Sequence, residues 1–389
     1  MSRVFLFIMD GFGLGYAPDA AAFGDEGANT FDHVWREAKP NIPNLARLGI
    51  GKAAAIAGGS NPFPNAKIIA SYGAATEISK GKDTITGHWE IAGVPLEKDW
   101  GYFPTTIPAF PQALMDELIE QAKLSGLLCM GHASGTHVIE KFGEEHLLTG
   151  KPIIYTSVDS VIQIAAHETY FGLQRLYEVC AIARELSYAL NIGRVIARPF
   201  VGETAKTFER TGNRKDYSVL PAQPTLLNAL LSAGRDVCSI GKIGDIYAHS
   251  GTGREIKVSG MDALQTTTLS EMTKLEVGGF LMVNFVNFDT DFGHRRDVTG
   301  YAKLLESFDR WLGKSLSLVG PQDHLFIAAD HGNDPTFKGT DHTRERVPIL
   351  WFSPSVTPKN IGLRNSFADI GQCIAELLGV GPLNSGVAF

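Results

Sequence analysis

Short, nearly unbroken apolar runs punctuate this chain, and polar residues or glycine follow each of them. Val4 to Met9 (VFLFIM), Phe280 to Phe288 (FLMVNFVNF) and His324 to Ala329 (HLFIAA) read as buried parallel strands, and Asp236 to Ile240 and Val347 to Phe352 as further strands. Apolar positions at helical spacing predict helices over Thr225 to Ala233, Tyr301 to Leu318 and Ala368 to Leu378. Such alternation means a largely parallel sheet with helices on both faces. A middle region repeats the pattern on a smaller scale. It predicts helices over Gln112 to Lys123 and Gly172 to Leu190, and short strands over Ile153 to Thr156 and Val195 to Ala197.

With 389 residues the chain exceeds what one hydrophobic core usually supports, so two domains are expected. Trp100 to Pro111 (WGYFPTTIPAFP) and the stretch from Tyr217 to Pro224 have the Pro-rich character of crossings between domains. The expected fold class is therefore α/β. Residues 1–97 and 217–389 form a discontinuous core, and residues 98–216 form a smaller inserted α/β domain.

Composition narrows the function by exclusion. A net charge of -7 gives no basic excess for neutralising phosphates, which argues against nonspecific nucleic-acid binding. An anionic substrate must be gathered by a few local Arg and Lys residues. The four cysteines, Cys129, Cys180, Cys238 and Cys373, lie far apart without a CxxC pair, as expected of reduced thiols. The start of the chain lacks a signal-peptide pattern, and no apolar run reaches membrane-spanning length. A cytoplasmic enzyme without membrane partners is expected; a monomer is favoured, although the sequence carries no assembly signal.

Three predicted strands deliver a carboxylate at the end where open α/β sheets place their ligands: Asp10, Asp289 and Asp330. Imidazoles follow closely, with His294 after Asp289, and His331 and His342 after Asp330 in the stretch DHGND…DH. Mixed carboxylate and imidazole donors suit Mn or Zn. Six protein ligands are too many for one catalytic ion that keeps an open position, but suit two ions. Two ions about 4 Å apart can stabilise both attacking and leaving oxygens of a phosphoryl group. His33, His146, His249 and His324 read as ordinary surface or capping residues. Thr84, in GKDTITGHWE, is the best candidate nucleophile: metal coordination can activate its hydroxyl, and a helix opening there would favour phosphate. The run Gly11-Phe12-Gly13-Leu14-Gly15 has GxGxG spacing, not the GxGxxG of dinucleotide sites, and reads as backbone passing close to the metals.

The segments MDGFG, GKDTITGHWE, ASGTH, YTSVDSVIQIAAHE, GRVIARPF, RTGNR, GKIGDIY, NFDTDFGHRRD and ADHGNDPTFKGTDHTRE occur in this order along nearly the whole chain. Together they resemble the bacterial phosphopentomutases, metalloenzymes of the alkaline-phosphatase superfamily. That resemblance implies an alkaline-phosphatase-like core with an inserted cap. It implies one Mn2+ ion on Asp10, Asp330 and His331, a second on Asp289, His294 and His342, and Thr84 bridging them as a phosphothreonine. It further implies pentose 1-phosphate and 5-phosphate as substrates, with glucose 1,6-bisphosphate or ribose 1,5-bisphosphate as activator. Arg198 and Lys242 read as phosphate contacts from their strand-end positions; for Arg210 and Asp159 a substrate role comes mainly from the resemblance. Val158, Asn287 and Lys215 depart from the family's usual residues. The competing readings are a phosphohydrolase using the same metals and Thr84, a phosphoglycerate mutase, and a noncatalytic phosphosugar-binding protein.

Overall fold

The computed structural model describes residues 2–157 and 160–389. The chain forms two compact units, one from residues 1–98 with 221–389, the other from residues 99–220.

The first unit is built on an eight-stranded sheet. Val4–Met9 lies at its middle, parallel to Phe280–Phe285 on one side and His324–Ala328 on the other. Val4 is in register with both Phe280 and His324. All three strands are buried along their whole length, which explains why they read as apolar runs rather than alternating ones. Because they run parallel and in step, their C-terminal ends open at one edge, carrying Asp10, Asp289 and Asp330 with them.

The Phe280 strand is shorter than its apolar pattern suggests. It ends at Phe285, and Phe288–Gly293 makes a π-helical turn that carries Asp289. Phe288 remains buried, so its apolar character reports packing beneath the turn and not strand pairing. Val347–Phe352 is antiparallel to both neighbours, His324–Ala328 and Ser71–Ala75. The strands Ser71–Ala75 and Asn360–Arg364 complete that side. Ser71–Ala75 (SYGAA) has no apolar run to betray it; Gly73 sits where a Cβ would come within 2.6 Å of the Gly362 carbonyl oxygen. The helix Val298–Leu316 brings Phe308 and Trp311 onto the sheet, each ring 5.1 Å from that of Phe285.

The second unit has a six-stranded sheet between two apolar layers. Ile154, Ile162 and Ile164 pack with Leu118, Leu176, Val179 and Cys180. Ile153, Tyr155 and Ala165 pack instead with Val138, Ile139 and Phe200. Alternate residues of each strand thus serve opposite faces. The helix Gly135–Thr149 on the second face was not visible as an amphipathic pattern. His146, read as a surface residue, is buried there: its Nε2 accepts from the His167 N–H at 2.9 Å. His324 is likewise buried, accepting at Nδ1 from Trp351 Nε1. All four cysteines are free thiols, three of them buried. Among the described residues, no helix is long and apolar enough to cross a membrane.

Candidate metal centre

All six expected ligands and Thr84 lie in the first unit, at the shared C-terminal edge of its central strands. His331 Nε2 stands 3.4 Å from Asp10 Oδ1 and 3.5 Å from Asp330 Oδ2. His294 Nε2 lies 3.1 Å from Asp289 Oδ2, and His342 Nε2 lies 3.5 Å from Asp289 Oδ1. Donor atoms of Asp289, His294 and His342 fall within 4.8 Å of one another, and so do those of Asp10, Asp289 and His331. Asp289 therefore faces both groups.

The donor set fits divalent cations. Asp10 Oδ1, Asp330 Oδ2 and His342 Nε2 are buried and make no hydrogen bond, a costly state unless a cation takes them. Burial, with the charges of Asp330 and Asp289, pushes the Asp10 carboxyl above the usual range. At Asp289 burial acts the same way, but His342, His294 and His331 outweigh it and hold the group well below. Burial would lower His331, yet the carboxylates of Asp330, Asp10 and Asp289 raise it far more. Carboxylates packed this densely require positive charge among them. Tautomers also suit ligation: His294 Nδ1 faces the Thr340 carbonyl at 2.6 Å and His331 Nδ1 that of Gly332 at 3.0 Å. Donating from Nδ1 leaves each Nε2 lone pair directed at the centre.

Neutral side chains orient the carboxylates. Asn284 Nδ2 donates to Asp10 Oδ2 at 2.8 Å, and Asn333 Nδ2 to Asp289 Oδ1 at 2.6 Å. The Gly11 N–H donates to Asp330 Oδ1 at 3.1 Å, and Gly11 adopts a φ of +73°, which glycine tolerates best. Arg296 gathers the carbonyls of Gly293, Gly339 and Asp341, fastening the loop that carries His342. The sequence marks Gly11 as backbone close to the centre but does not single out Asn284, Asn333 or Arg296, because amides and guanidinium groups carry no ligand signature. Asp334 and Asp341, the other carboxylates of the stretch DHGND…DH, are used elsewhere: Asp334 pairs with His33 at 2.5 Å and Asp341 with Lys82 at 3.1 Å.

Thr84 opens the helix Thr84–Ile91, capped by Asp83, whose Oδ1 accepts from the Ile85 and Thr86 N–H groups. Its Oγ1 lies 3.2 Å from His331 Nε2. The helix is pinned from behind. A Cβ on Gly87 would overlap the Asp330 carbonyl oxygen, so only glycine allows this approach. The buried Glu90 carboxylate accepts from Ser79 N–H and Oγ, Phe367 N–H and Ser366 Oγ. His88, fully buried, places Nδ1 2.8 Å from the Thr84 carbonyl and 3.1 Å from Asp330 Oδ2.

Arg344 holds the loop before Thr84. Only 1% of its side chain is exposed; it bonds Glu77 at 2.5 Å, Asp19 at 2.9 Å and the Gly81 carbonyl at 2.6 Å. Arg344→Met should cost about 3–5 kcal/mol, because Glu77, Asp19 and the Gly81 carbonyl then lose their shared partner in a buried site. Urea unfolding checks this; a loss under about 1 kcal/mol, the scale of an exposed pair, would contradict it.

The substrate candidates are divided. Lys242 stands exposed just past the strand Val237–Ile240. Arg198 and Arg210 belong to the second unit: Arg198 Nε donates to Gln163 Oε1 at 3.0 Å, and Arg210 is exposed on a short strand. Asp159, with Val158, lies outside the described residues.

The sequence model of the metalloenzyme superfamily matches residues 2–382. A phosphopentomutase of Rhizobium leguminosarum bv. trifolii is 52% identical over 397 residues, covering 98% of each chain. One from a Chelativorans species is 53% identical over 402 residues, covering 100% of this chain and 98% of that protein. The chain belongs to the phosphopentomutase family of metalloenzymes. It is accordingly an isomerase, an intramolecular phosphotransferase that uses divalent metal. A solved protein from Pyrococcus horikoshii, 13% identical, shares the fold with a TM-score of 0.50 over 97% of both chains. In this chain the long segments around Thr84 and His331 have a physical basis: they hold the helix that opens at Thr84 against the strand ends that carry Asp10, Asp289 and Asp330.

Proposed function

We propose that this chain interconverts α-D-ribose 1-phosphate, or its 2-deoxy counterpart, with the 5-phosphate. The observation that carries this reading is Thr84 Oγ1 at a capped helix start, 3.2 Å from His331 Nε2 within the carboxylate and imidazole cluster. Two Mn2+ ions, one held by Asp10, Asp330 and His331 and the other by Asp289, His294 and His342, would neutralise charge on the transferring phosphoryl group.

Thr84 alternates between hydroxyl and phosphothreonine. In the first half-reaction the phosphorus–oxygen bond of phospho-Thr84 breaks as one forms to the free hydroxyl of the bound pentose phosphate. The sugar hydroxyl gives up its proton, and Thr84 ends as the hydroxyl. The resulting 1,5-bisphosphate reorients and returns its other phosphoryl group to Thr84, which loses its proton in turn. Glucose 1,6-bisphosphate or ribose 1,5-bisphosphate would prime the cycle by phosphorylating Thr84. The helix opening at Thr84 favours the negative charge gathered there.

Residues 99–220 would serve as the cap, with Arg198 and Arg210 binding the sugar phosphate and Asp159 accepting from a sugar hydroxyl. Lys242 would add a point charge from the core. Sheltering the bisphosphate from water separates a mutase from a hydrolase. The cytoplasm, where pentose phosphates are made and used, is the proposed location.

Phosphorus NMR of ribose 1-phosphate with Mn2+ and a trace of glucose 1,6-bisphosphate tests the reaction. Ribose 5-phosphate should grow at constant total sugar phosphate. Growth of inorganic phosphate instead would mean a hydrolase on the same site.

A further inference from the structure

Glu345 stands outside the six candidate ligands yet joins the segments that carry them. The residue is 0% exposed, and neutral donors surround its carboxylate. Oε2 accepts from the Gly15 and Thr30 N–H groups, each at 2.9 Å, and Oε1 accepts from the Thr30 and Thr343 hydroxyls, each at 2.7 Å. Burial, then the charge of Asp334, push the carboxyl up to about 7, against the pull of the Thr30 and Thr343 donors. Packing alone calls for no such group: an apolar side chain would fill the space without the cost of burying a carboxylate.

Each donor leads to a segment of the metal centre. Gly15 closes residues 11–15, which follow Asp10. Thr30 Oγ1 also accepts from the Asn333 N–H at 3.2 Å, and the Asn333 side chain donates to Asp289 Oδ1. Thr343 follows His342 directly, and its Oγ1 accepts from the Asp334 N–H at 3.2 Å. Gly332 and Thr343, one residue beyond His331 and His342, exchange backbone hydrogen bonds at 3.1 and 2.8 Å. The backbone leaves room for the carboxylate: a Cβ on Gly13 or on Gly332 would overlap it.

The residues reached in this way divide over the two close donor groups. Asp10 and His331 lie in one, His342 in the other, and Asp289 in both. Joining their segments at one buried point fixes how far apart the groups stand. Transfer through Thr84 needs both groups at once, and a misplacement of about 1 Å can cost about 100-fold in rate.

We propose that Glu345 is a positioning residue of this isomerase: it accepts from Gly15, Thr30 and Thr343 together and so sets the separation of the two donor groups. That role rests on the two-ion reading proposed above.

Two variants of the full-length chain test it. Glu345→Gln keeps the volume and an acceptor for the Gly15 and Thr30 N–H groups, but turns a donor toward the Thr30 and Thr343 hydroxyls. Thr343→Val cuts the Thr343 link from its other side. Both should fold, as thermal melting checks. Calorimetry should show Mn2+ affinity lowered about 10- to 100-fold in Glu345→Gln, the range typical of partners behind a ligand, and by less in Thr343→Val. At saturating Mn2+ the paramagnetic resonance spectrum should show a changed coupling between the two ions, which depends steeply on their separation. For ribose 5-phosphate, kcat should fall while KM holds. The double variant should be no worse than Glu345→Gln alone, because both changes break one link.

Wild-type coupling and kcat in Glu345→Gln, with only a lower melting temperature, would reduce Glu345 to a stability role and overturn the proposal. So would additive losses in the double variant. Should Glu345→Gln fail to fold, unchanged coupling and kcat in Thr343→Val overturn it instead. Changed coupling in a chain that does not turn over pentose phosphates supports the positioning role and removes the proposed substrate. A wild type that binds a single Mn2+ ion overturns both readings.

Discussion

Thr84→Ala should fold, retain metal and lose turnover by about four orders of magnitude or more, the scale on which removing a covalent nucleophile acts. The local structure explains why the loss should be confined to chemistry. Asp83 caps the helix through the N–H groups of Ile85 and Thr86, not through the Thr84 side chain. Gly87 against Asp330 and the hydrogen bonds of Glu90 hold the helix in place whichever residue stands at position 84. None of the six candidate ligands is altered. Incubation with glucose 1,6-bisphosphate, followed by intact-mass measurement, adds a second readout: wild type should gain one phosphoryl group and Thr84→Ala none. Turnover by the variant within tenfold of wild type would remove Thr84 from the mechanism.

Asp289→Asn should have the second-largest effect, and on metal content first. Asp289 lies in both close donor groups, so one substitution weakens both. Asparagine keeps the shape and an acceptor for Asn333 Nδ2 but removes a negative charge from a buried site. The loss of metal affinity should exceed the about 10- to 100-fold typical of supporting partners, because Asp289 would be a direct ligand. Elemental analysis of the purified variant checks this, and added Mn2+ should restore turnover only in part. Full metal stoichiometry in Asp289→Asn would reject Asp289 as a ligand.

Much of the central sheet is legible in the sequence. Val4–Met9 and Val347–Phe352 appear with the bounds their apolar runs suggest, because strands buried on both faces need apolar residues at every position. The strand Ser71–Ala75 and the helix Gly135–Thr149 were silent for the opposite reason. The first is built from small residues in close contact with neighbouring backbone. The second buries only part of its length and carries glycine at Gly143, where the Phe208 ring passes.

Residue type and order determined by themselves the α/β character, the carboxylates at strand ends, the imidazoles behind them and Thr84 as the candidate nucleophile. Those features are local: a side chain's chemistry, or a period along a few residues. Tertiary structure alone decided that Asp289 faces two donor groups, that Asn284, Asn333 and Gly11 orient the carboxylates, and that Glu345 joins Gly15, Thr30 and Thr343. Each of these is a distance between residues remote in sequence, set by sheet register and packing, and no pattern along the chain encodes such a distance.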